Sequence, residues 1–582
     1  MSVLPILEWL PNYQRRFLRG DLVAGVSSWA LVVPQAVAYG QIAGMPAQAG
    51  LAAAFAGPLG YAVLGTSRQL LVSPTSSSAL ISASVVGEMA GGDVSRFIAL
   101  TAALAIITGV VLALLGLFRL GFVSQFLAYS VQTGFLFGLG LTILVTQLAS
   151  VLGVTTSGGN FFPNAGSLVE NLGEINGWTA VLGLGGLAAL LLMKRYVPAW
   201  PAALVVVLAG IVLTAALGLD DRGVDVVGEI PRGLPGLALP DVSGTDILAL
   251  LPAAIALAVI GYAESASVAQ DFASRHHYDI DPDQELVALG GASALAGVFQ
   301  GFLVAGGASQ SVANDRAGAQ TQLAGLIVAG LALVTAFALT FLFLDLPQAV
   351  LGAIVISAIV GFFRVGDLRR IAGLERESFA IALVALGGVL ILGPLPGMIL
   401  AIVLSVLILL SRTSRPGISA LGRAPDGTAY GAIERHAGYQ PVPGLLIIRQ
   451  DGMLFFANAR KLRQEVLAAA SRSSPPCAVL LLDLEMSPDL DIQSADVLED
   501  TRVELAGSGI DLWLGGVHAR VREMLKRVGY GGAEGEDRMF SDVAGAVAAF
   551  EQRKPRGGVA GEGAVPALEG SNPVQPTKEA QP

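Results

Sequence analysis

Residues 301–316 read GFLVAGGASQSVANDR, a small, polar and glycine-rich stretch between long apolar segments. A similar stretch, LLVSPTSSS, occupies residues 70–78 in the first half of the chain. In hydrocarbon each backbone group without a hydrogen bond costs several kcal/mol, so irregular chain there lines a cavity or is buried in protein. Two interrupted segments at matching positions of two halves are typical of the binding site of a membrane transporter.

The composition predicts an integral membrane protein with a soluble part attached. The 582 residues are 53% hydrophobic and 14% charged, with a mean hydropathy of +0.67, whereas soluble proteins are about a quarter charged. The single cysteine, Cys477, excludes an intramolecular disulfide, and the four histidines show no ligand spacing, so we expect no metal and no cofactor. The net charge of −10 argues against a nucleic-acid partner. Because the sequence contains no nucleophile–base pair and no phosphate loop, we do not expect an enzyme.

The apolar segments predict an α-helical membrane domain over residues 21–411. Since roughly 20 apolar residues cross a bilayer, we expect about fourteen transmembrane segments, at 21–43, 47–65, 74–91, 97–118, 125–152, 178–194, 199–218, 246–270, 284–302, 308–319, 321–344, 347–363, 377–393 and 396–411. The third and tenth start with polar, irregular chain and are interpreted as half-helices. Gly134 and Gly138 form a GxxxG pair, which favours close helix packing.

The fourteen segments divide into two repeats of seven, at about 21–218 and 246–411. An odd number of segments per repeat gives the halves opposite orientations, which is an inverted repeat. Arg15, Arg16 and Arg19 in the short lead-in, residues 1–20, place the N-terminus in the cytoplasm. An even number of crossings then returns the C-terminus there, so we predict a multi-pass protein of the cytoplasmic (inner) membrane.

The amino-acid composition changes after the last apolar segment, which ends at residue 411. Residues 412–443 are interpreted as a linker, residues 444–553 as a cytoplasmic α/β domain and residues 554–582 as a disordered tail. Short β-like runs alternate with helical ones, which indicates a largely parallel sheet. The predicted strands include Leu445–Ile448, Met453–Phe456, Ala478–Leu484 and Asp511–Leu514.

The starts of the two half-helices are the candidate substrate site. A helix that begins in mid-membrane presents free N–H groups and the positive end of its dipole, which favour an anion. In the first half-helix Ser73 is the expected cap before Pro74, and Thr75 and Ser76 add hydroxyl groups. The second half-helix contributes Ala308, Ser309, Gln310 and Ser311. The alternative is helix packing by small polar residues, which a single such run would favour.

Three further residues are candidates in neighbouring segments. Glu264 lies inside the eighth segment, where a carboxylate is costly and is therefore functional or paired. Our hypothesis is that it carries the coupling ion, a proton or another cation; the alternative is a structural partner for a nearby donor. Gln35 and Tyr39 follow Pro34, whose kink would turn both toward the cavity, although a plain packed kink is an alternative. Asn314, Asp315 and Arg316 are expected to pair with one another.

Several motifs together resemble the sulfate permease (SulP) family, in particular its bacterial members with a C-terminal STAS domain. VPQAVAY at residues 33–39, followed by AGMP at 43–46, is similar to the family's first-helix signature. Matches to its later segments are Glu264-Ser265, Gln284-Glu285-Leu286, Asn314, Gly318, Thr321 and Gln322, and the residues after Gly444 resemble its STAS domain. The resemblance implies a core domain that moves against a gate domain, a substrate site between the third and tenth segments, and a homodimer.

The sequence departs from the family pattern at several positions. Gln310 stands where many members have Arg, so a fixed positive charge is missing from the expected anion site. Gln320 replaces a usual Lys. Val268 stands where sodium-coupled members have a hydroxyl, which favours proton coupling. Ile492 follows Asp491 where anti-sigma antagonists have a phosphorylated Ser or Thr, so we expect a structural or trafficking role for the STAS-like domain.

We therefore expect secondary active transport of a small anion by alternating access, with sulfate as the family default and a proton as the coupling ion. Dicarboxylate and bicarbonate are alternative substrates. An anion channel, or a sensor that signals through the STAS-like domain, is the alternative of another class. The expected partners are the anion, the proton, membrane lipid and a second copy of the chain.

Overall fold

The computed structural model describes residues 4–122, 128–197, 200–414, 417–474, 476–532 and 535–553. The chain divides at Ser405–Val406 into two units. The tail predicted at 554–582, and the first three residues of the predicted lead-in, lie outside the described residues.

The first half of the membrane unit contains nine helices and one short strand within the described ranges. They are α1 (Ile6–Trp9), α2 (Leu18–Ile42), α3 (Ala47–Leu64), β1 (Val72–Pro74), α4 (Ser76–Ala90), α5 (Val94–Leu117), α6 (Tyr129–Leu152), α7 (Phe161–Glu170), α8 (Gly177–Tyr196) and α9 (Ala202–Leu217). Of these, α2–α6, α8 and α9 correspond to the seven predicted segments. The amphipathic α7 lies in the stretch that was predicted to be a loop.

The second half repeats this order. It consists of α10 (Gly244–His276), α11 (Pro282–Val298), β2 (Val304–Gly306), α12 (Ala308–Arg316), α13 (Leu323–Val334), α14 (Gln348–Ile359), α15 (Val365–Leu374), α16 (Arg376–Leu392) and α17 (Pro394–Thr413). A π-helical turn and a 3-10 turn extend α13 to Phe343. The predicted bounds of α10 were too short, because the helix continues to His276 beyond the apolar stretch. The amphipathic α15 was not predicted.

The packing of the helices confirms the inverted repeat. α5 packs on α11, and their counterparts in the other half, α13 and α3, pack on each other. Likewise α6 packs on α16, and their counterparts α14 and α8 are in contact. These contacts separate a core bundle, made of α2–α5 and α10–α13, from a gate bundle, made of α6, α8, α9, α14 and α16. α17 belongs to the gate bundle as well, because its Gly397 lies against Gly388 of α16. Within the described residues, nine helices are long and apolar enough to span a membrane, and the others are shorter.

Small residues set the distance between helices in both bundles. Gly134 of α6 lies directly against the Ala382 carbonyl of α16, so a Cβ at this position would displace the backbone of the neighbouring helix. Gly138 lies one turn further along, against Leu386 and Val389. The predicted GxxxG pair therefore packs against another helix rather than facing lipid, and it holds the gate bundle together.

The second unit contains a five-stranded sheet with the order β4-β3-β5-β6-β7. Its elements are β3 (Ile418–Arg423), β4 (Tyr430–Ala432), β5 (Leu445–Gln450), α18 (Ala459–Arg472), β6 (Val479–Asp483), α19 (Ile492–Gly507), β7 (Asp511–Gly515), α20 (Ala519–Arg527) and α21 (Val543–Arg553). The strands β5, β6 and β7 are parallel, whereas β3 is antiparallel to both of its neighbours.

Two predictions for this unit were wrong. The stretch interpreted as a linker contributes β3 and β4, which complete the sheet by antiparallel pairing that short-range patterns do not show. Met453–Phe456 is not a strand, because it forms the turn that leads into α18. The carboxamide of Asn458 holds this turn by accepting a hydrogen bond from Phe455 N and donating one to the Met453 carbonyl.

Candidate functional site

The two irregular stretches pair with each other. β1 and β2 are antiparallel, with Val72 opposite Gly306, Ser73 opposite Ala305 and Pro74 opposite Val304. This ladder satisfies backbone groups that would otherwise be unpaired in the middle of the membrane unit. The half-helices α4 and α12 begin directly after the two strands. The ladder therefore fixes where both helices start, and they run away from it in opposite directions.

The first half-helix is capped by Thr75. The Thr75 hydroxyl accepts a hydrogen bond from Ser78 N at 3.3 Å, and the Ser78 hydroxyl accepts one from Thr75 N, which makes a capping box. The prediction that Ser73 caps this helix was wrong, because Ser73 and Pro74 are held in β1 by the ladder. The Ser73 hydroxyl is buried without a hydrogen-bond partner among the described residues.

The second half-helix begins at Ala308 with Gly307 as its N-cap, and no side chain of the described residues caps it. Ala308 and Ser309 are exposed, although Gly307 before them and Gln310 after them are buried. The first turn of α12 is therefore accessible at Ala308 and Ser309. Its N–H groups are available there, which is the arrangement that favours an anion at a helix start.

Gln310 joins the start of α12 to two other elements. Its amide nitrogen donates to Gln35 Oε1 at 2.9 Å and to the Pro74 carbonyl at 3.2 Å. The side chain lies directly over the Cα of Gly307, where a Cβ would collide with it. Gln310 thereby joins the strand β1, the second half-helix α12 and α2.

Gln35 and Tyr39 both lie on α2, beyond the internal Pro34, and both are buried. Gln35 contacts Gln310, and Tyr39 lies close to the Ser76 side chain in the first turn of α4. The structure therefore brings these two residues to the starts of the two half-helices. Since Gln35 and Tyr39 are four residues apart, the same side of α2 faces the starts of both half-helices.

Ser311 has a different position from the one we expected. Its hydroxyl accepts a hydrogen bond from Leu71 N at 2.9 Å, so it supports the chain before β1 rather than the open first turn. Asn314 donates to the Gln69 carbonyl, and Asp315 pairs with His276 at 2.6 Å. The expected pairing among Asn314, Asp315 and Arg316 is therefore wrong. Successive residues of a helix point in different directions, and these reach other elements.

Glu264 lies on α10, in contact with the first turn of α4. The Ser77 hydroxyl donates to Glu264 Oε2 at 3.0 Å. Glu264 also borders a small cavity between α6, α10 and α17, which is lined by Val131, Gln132, Phe135, Leu136, Ile260, Glu264 and Met398. Because α10 belongs to the core bundle and the other two helices to the gate bundle, this cavity lies at the boundary between the bundles.

Several supporting residues were not recognised from the sequence. The Ser265 hydroxyl accepts from Gly306 N at 2.8 Å and donates to the Gly261 carbonyl, so it ties β2 to α10. Gln322 donates to the carbonyls of Ser67 and Leu70, which positions the chain that enters β1. Both residues belonged to motifs noted in the sequence, but a motif does not indicate which distant backbone group a side chain reaches.

The site thus combines backbone N–H groups, hydroxyls and amides with one carboxylate. Among the described residues, no group of His, Cys, Asp and Glu side chains is arranged to hold a metal ion. In the first turns of α4 and α12 the side chains of the described residues are uncharged. Such a set can hold a small anion by dipoles and hydrogen bonds, and a buried carboxylate beside it is a group that can take up a proton.

Comparisons with known proteins agree with this architecture. The profile of the Sulfate permease family matches residues 18–385, and that of the STAS domain matches residues 438–546. A probable sulfate transporter of Mycobacterium tuberculosis is 35% identical over 551 residues, which cover 94% of this chain and 98% of the relative.

Two solved structures are similar in fold. The murine Solute Carrier 26 family member A9 anion transporter, in its inward-facing state, superposes with a TM-score of 0.87 at 24% identity, covering 95% of this chain and 94% of its own. The transmembrane domain of a cyanobacterium bicarbonate transporter gives a TM-score of 0.59 at 25% identity, covering 68% of this chain and 98% of its own.

Proposed function

The chain belongs to the sulfate permease family, and from this premise we propose that it carries sulfate by proton-coupled secondary active transport. It is a multi-pass anion transporter of the membrane with a C-terminal STAS domain. The choice of sulfate rests on the relatives that cover nearly the whole chain and are described as sulfate transporters. The proton and the residues that bind the anion are argued from the site itself.

One observation carries the proposal: the ladder of β1 and β2 holds the starts of two half-helices beside each other. We propose that sulfate binds to the N–H groups of the first turns of α4 and α12. Ser76 and Ser309 add side-chain donors, and Gln35 and Tyr39 complete the site from α2. Gln310, whose amide nitrogen donates to Gln35 and Pro74, holds the start of α12 in position beside them. A doubly negative anion is compatible with two positive helix ends and needs no lysine or arginine at the site.

Glu264 is proposed to carry the coupled proton. Through Ser77 its carboxylate contacts the same helix start that receives the anion. An ionised carboxylate beside this helix start repels an anion that binds there, and a neutral one does not. Binding of a proton and binding of sulfate therefore favour each other, which is the linkage that a symporter requires.

The boundary between the bundles is proposed to be the moving surface. Glu264 lies on the core bundle, and the other side of its cavity is formed by α6 and α17 of the gate bundle. A movement of one bundle past the other would transfer the site from one side of the membrane to the other, as expected for an inverted repeat. We also propose cytoplasmic termini, from the arginines before α2 and the even number of crossings, and a homodimer, from the family resemblance.

The decisive experiment is uptake into liposomes that contain the purified full-length protein. Labelled sulfate, fumarate and bicarbonate are each offered with and without an inward proton gradient. We expect sulfate to accumulate above its external concentration only when the gradient is present. Accumulation of fumarate or bicarbonate instead would overturn the assigned substrate. A linear current without accumulation would indicate a channel, and ligand binding without flux would indicate a sensor.

A further inference from the structure

The short helix α15, Val365–Leu374, connects two helices that cross the membrane unit, α14 and α16. It packs against α16 and α6, and Phe363 just before it contacts Phe137 of α6 edge to face at 5.2 Å between ring centroids. A ten-residue amphipathic helix between two helices of the membrane unit is typical of a segment at the membrane surface. By the number of crossings this is the side on which α2 begins.

α15 is amphipathic. Val365, Leu368, Ile371 and Leu374 follow one another at intervals of three residues, and each step turns about 60° around the helix. The four side chains therefore wind across one half of its surface, with Val365 and Leu374 at the two edges. Ile371 is buried, but Val365 is 43% and Leu374 76% exposed. The protein therefore covers the middle of this apolar row and leaves both of its ends open. A helix with such a row lies in the membrane interface with its apolar side toward the acyl chains.

The opposite side of α15 is basic. Arg369 and Arg370 are exposed, and Arg376 is exposed at the start of α16. Among the described residues, none forms an ion pair or a side-chain hydrogen bond with these three arginines. Arg364, by contrast, has Asp367 within 4.0 Å. Three guanidinium groups without an ion-pair partner among the described residues thus lie beside this apolar row, with Glu375 and Glu377 next to Arg376 in the sequence.

We propose that this surface, which consists of α15 together with Arg376, binds the phosphate headgroup of an anionic phospholipid. Guanidinium groups match phosphate oxygens in geometry and charge, and the exposed Val365 and Leu374 contact the acyl chains. Arginines beside exposed apolar side chains favour a lipid over a free anion, because a free anion makes no contact with the apolar side chains. Because α15 packs on α6, and α6 lines the cavity beside Glu264, the bound lipid stabilises one position of the gate bundle.

The test is a titration of the full-length protein in detergent with phosphatidylglycerol that carries a fluorescent acyl chain. Phosphatidylcholine with the same chain is the zwitterionic probe. We expect Arg369→Gln with Arg370→Gln to weaken phosphatidylglycerol binding by roughly 30-fold, as expected for the loss of two surface charges. Binding of phosphatidylcholine should not change. Arg369→Lys with Arg370→Lys keeps the charge and should retain most of the affinity, which separates loss of charge from misfolding.

The matched control is Lys194→Gln with Arg195→Gln at the exposed end of α8, which removes the same number of charges where no in-plane helix follows. We expect it to bind phosphatidylglycerol like the wild type. An equal loss of phosphatidylglycerol affinity in this control would contradict a local site on α15. Unchanged phosphatidylglycerol binding in Arg369→Gln with Arg370→Gln would contradict it as well. Displacement of the lipid by millimolar sulfate at constant ionic strength would show a site for free anions and would overturn the lipid assignment.

Discussion

The hydroxyl of Ser77 donates a hydrogen bond of 3.0 Å to the carboxylate of Glu264. Ser77 lies in the first turn of the half-helix α4, and Glu264 lies on α10 in the other half of the chain. The proton site and the anion site of our proposal are therefore adjacent. This adjacency makes the coupling testable, because each site can be changed without removing the other.

Replacement of Glu264 by Gln should uncouple transport from the proton gradient. The variant keeps a neutral side chain that resembles the protonated acid, so sulfate binding and sulfate exchange should persist. Accumulation driven by the gradient should fall at least tenfold. Uptake and counterflow of labelled sulfate in liposomes measure the two activities. Glu174→Gln, in the 3-10 turn before α8, is the control and should behave as wild type. Gradient-driven accumulation by the Glu264 variant would refute the proton assignment.

Gly307 and Gln310 should show a strong interaction in a double-mutant cycle. A methyl group on Gly307 collides with the Gln310 amide, so Gly307→Ala should displace it from Gln35 and Pro74. Loss of these hydrogen bonds, at about 1 kcal/mol each, should raise the KM for sulfate roughly 5- to 30-fold. The double variant with Gln310→Ala should be no worse than Gln310→Ala alone, because the collision is then absent.

Gly87→Ala supplies the control for that cycle, because a Cβ on this glycine of α4 meets nothing within 4 Å. Its KM should not change. Strictly additive effects of the Gly307 and Gln310 substitutions would contradict the contact between them.

Removal of the cap on α4 should weaken sulfate binding. Thr75→Ala loses the capping box with Ser78, at a cost of about 1 kcal/mol, which corresponds to roughly fivefold in affinity. Thr75→Ser retains the hydroxyl and should be close to wild type. Sulfate-dependent thermal shifts of the purified protein measure the affinity. Asn176→Ala removes a comparable cap from the distant α8 and should lower stability without changing sulfate affinity. An equal loss of affinity in both cap variants would exclude a specific role for Thr75.

The second unit should lose stability in mild acid at one identifiable carboxyl. The hydrogen bonds from the Arg502 guanidinium, together with that from Gly531 N, hold the pKa of Glu499 below its ordinary value of 4.5. A lowered pKa stabilises the folded state above the ordinary value, and this stabilisation is lost as the pH falls through the folded-state pKa.

Hydrogen exchange of α19, corrected for intrinsic rates, measures this effect. In the wild type, the protection of the α19 amides should decrease on acidification below pH ~5. In Glu499→Gln, this protection should be lower at neutral pH and should change less with pH. Glu523→Gln changes an exposed carboxyl of α20 and is the control. An unchanged pH profile in the Glu499 variant would contradict the assignment.

The sequence was sufficient for the membrane architecture because hydrophobic length and polar interruptions are local signals. All seven segments of each half, and both half-helices, follow from such signals. The cap of α4 does not. Ser73 before Pro74 is a sound local helix start, but pairing with Ala305 draws both residues into a strand and moves the cap to Thr75. Local preference was overridden by a contact from the other half of the chain.

The same limit applies to side-chain partners and to the second unit. The sequence placed Gln310 at the site and Ser311 beside it, yet one faces Gln35 and the other supports Leu71. Which way each side chain turns depends on the neighbouring helices. In the second unit, Ile418–Arg423 follows a membrane helix in a basic, Pro- and Gly-containing stretch, so its composition indicated a linker. Antiparallel pairing with Leu445–Gln450 makes it a strand.

The ladder between β1 and β2 also constrains biosynthesis. Leu71 and Ser311, which meet beside it, are separated by 240 residues along the chain. At a synthesis rate of about 5–20 residues per second, the first strand leaves the ribosome roughly 10 to 50 s before its partner exists. During that interval β1 and the polar start of α4 must be shielded from lipid by the insertion machinery or by the helices already made. Assembly of the substrate site is therefore a late, post-insertion event, and substitutions in α12 should reduce the yield of inserted protein as well as its activity.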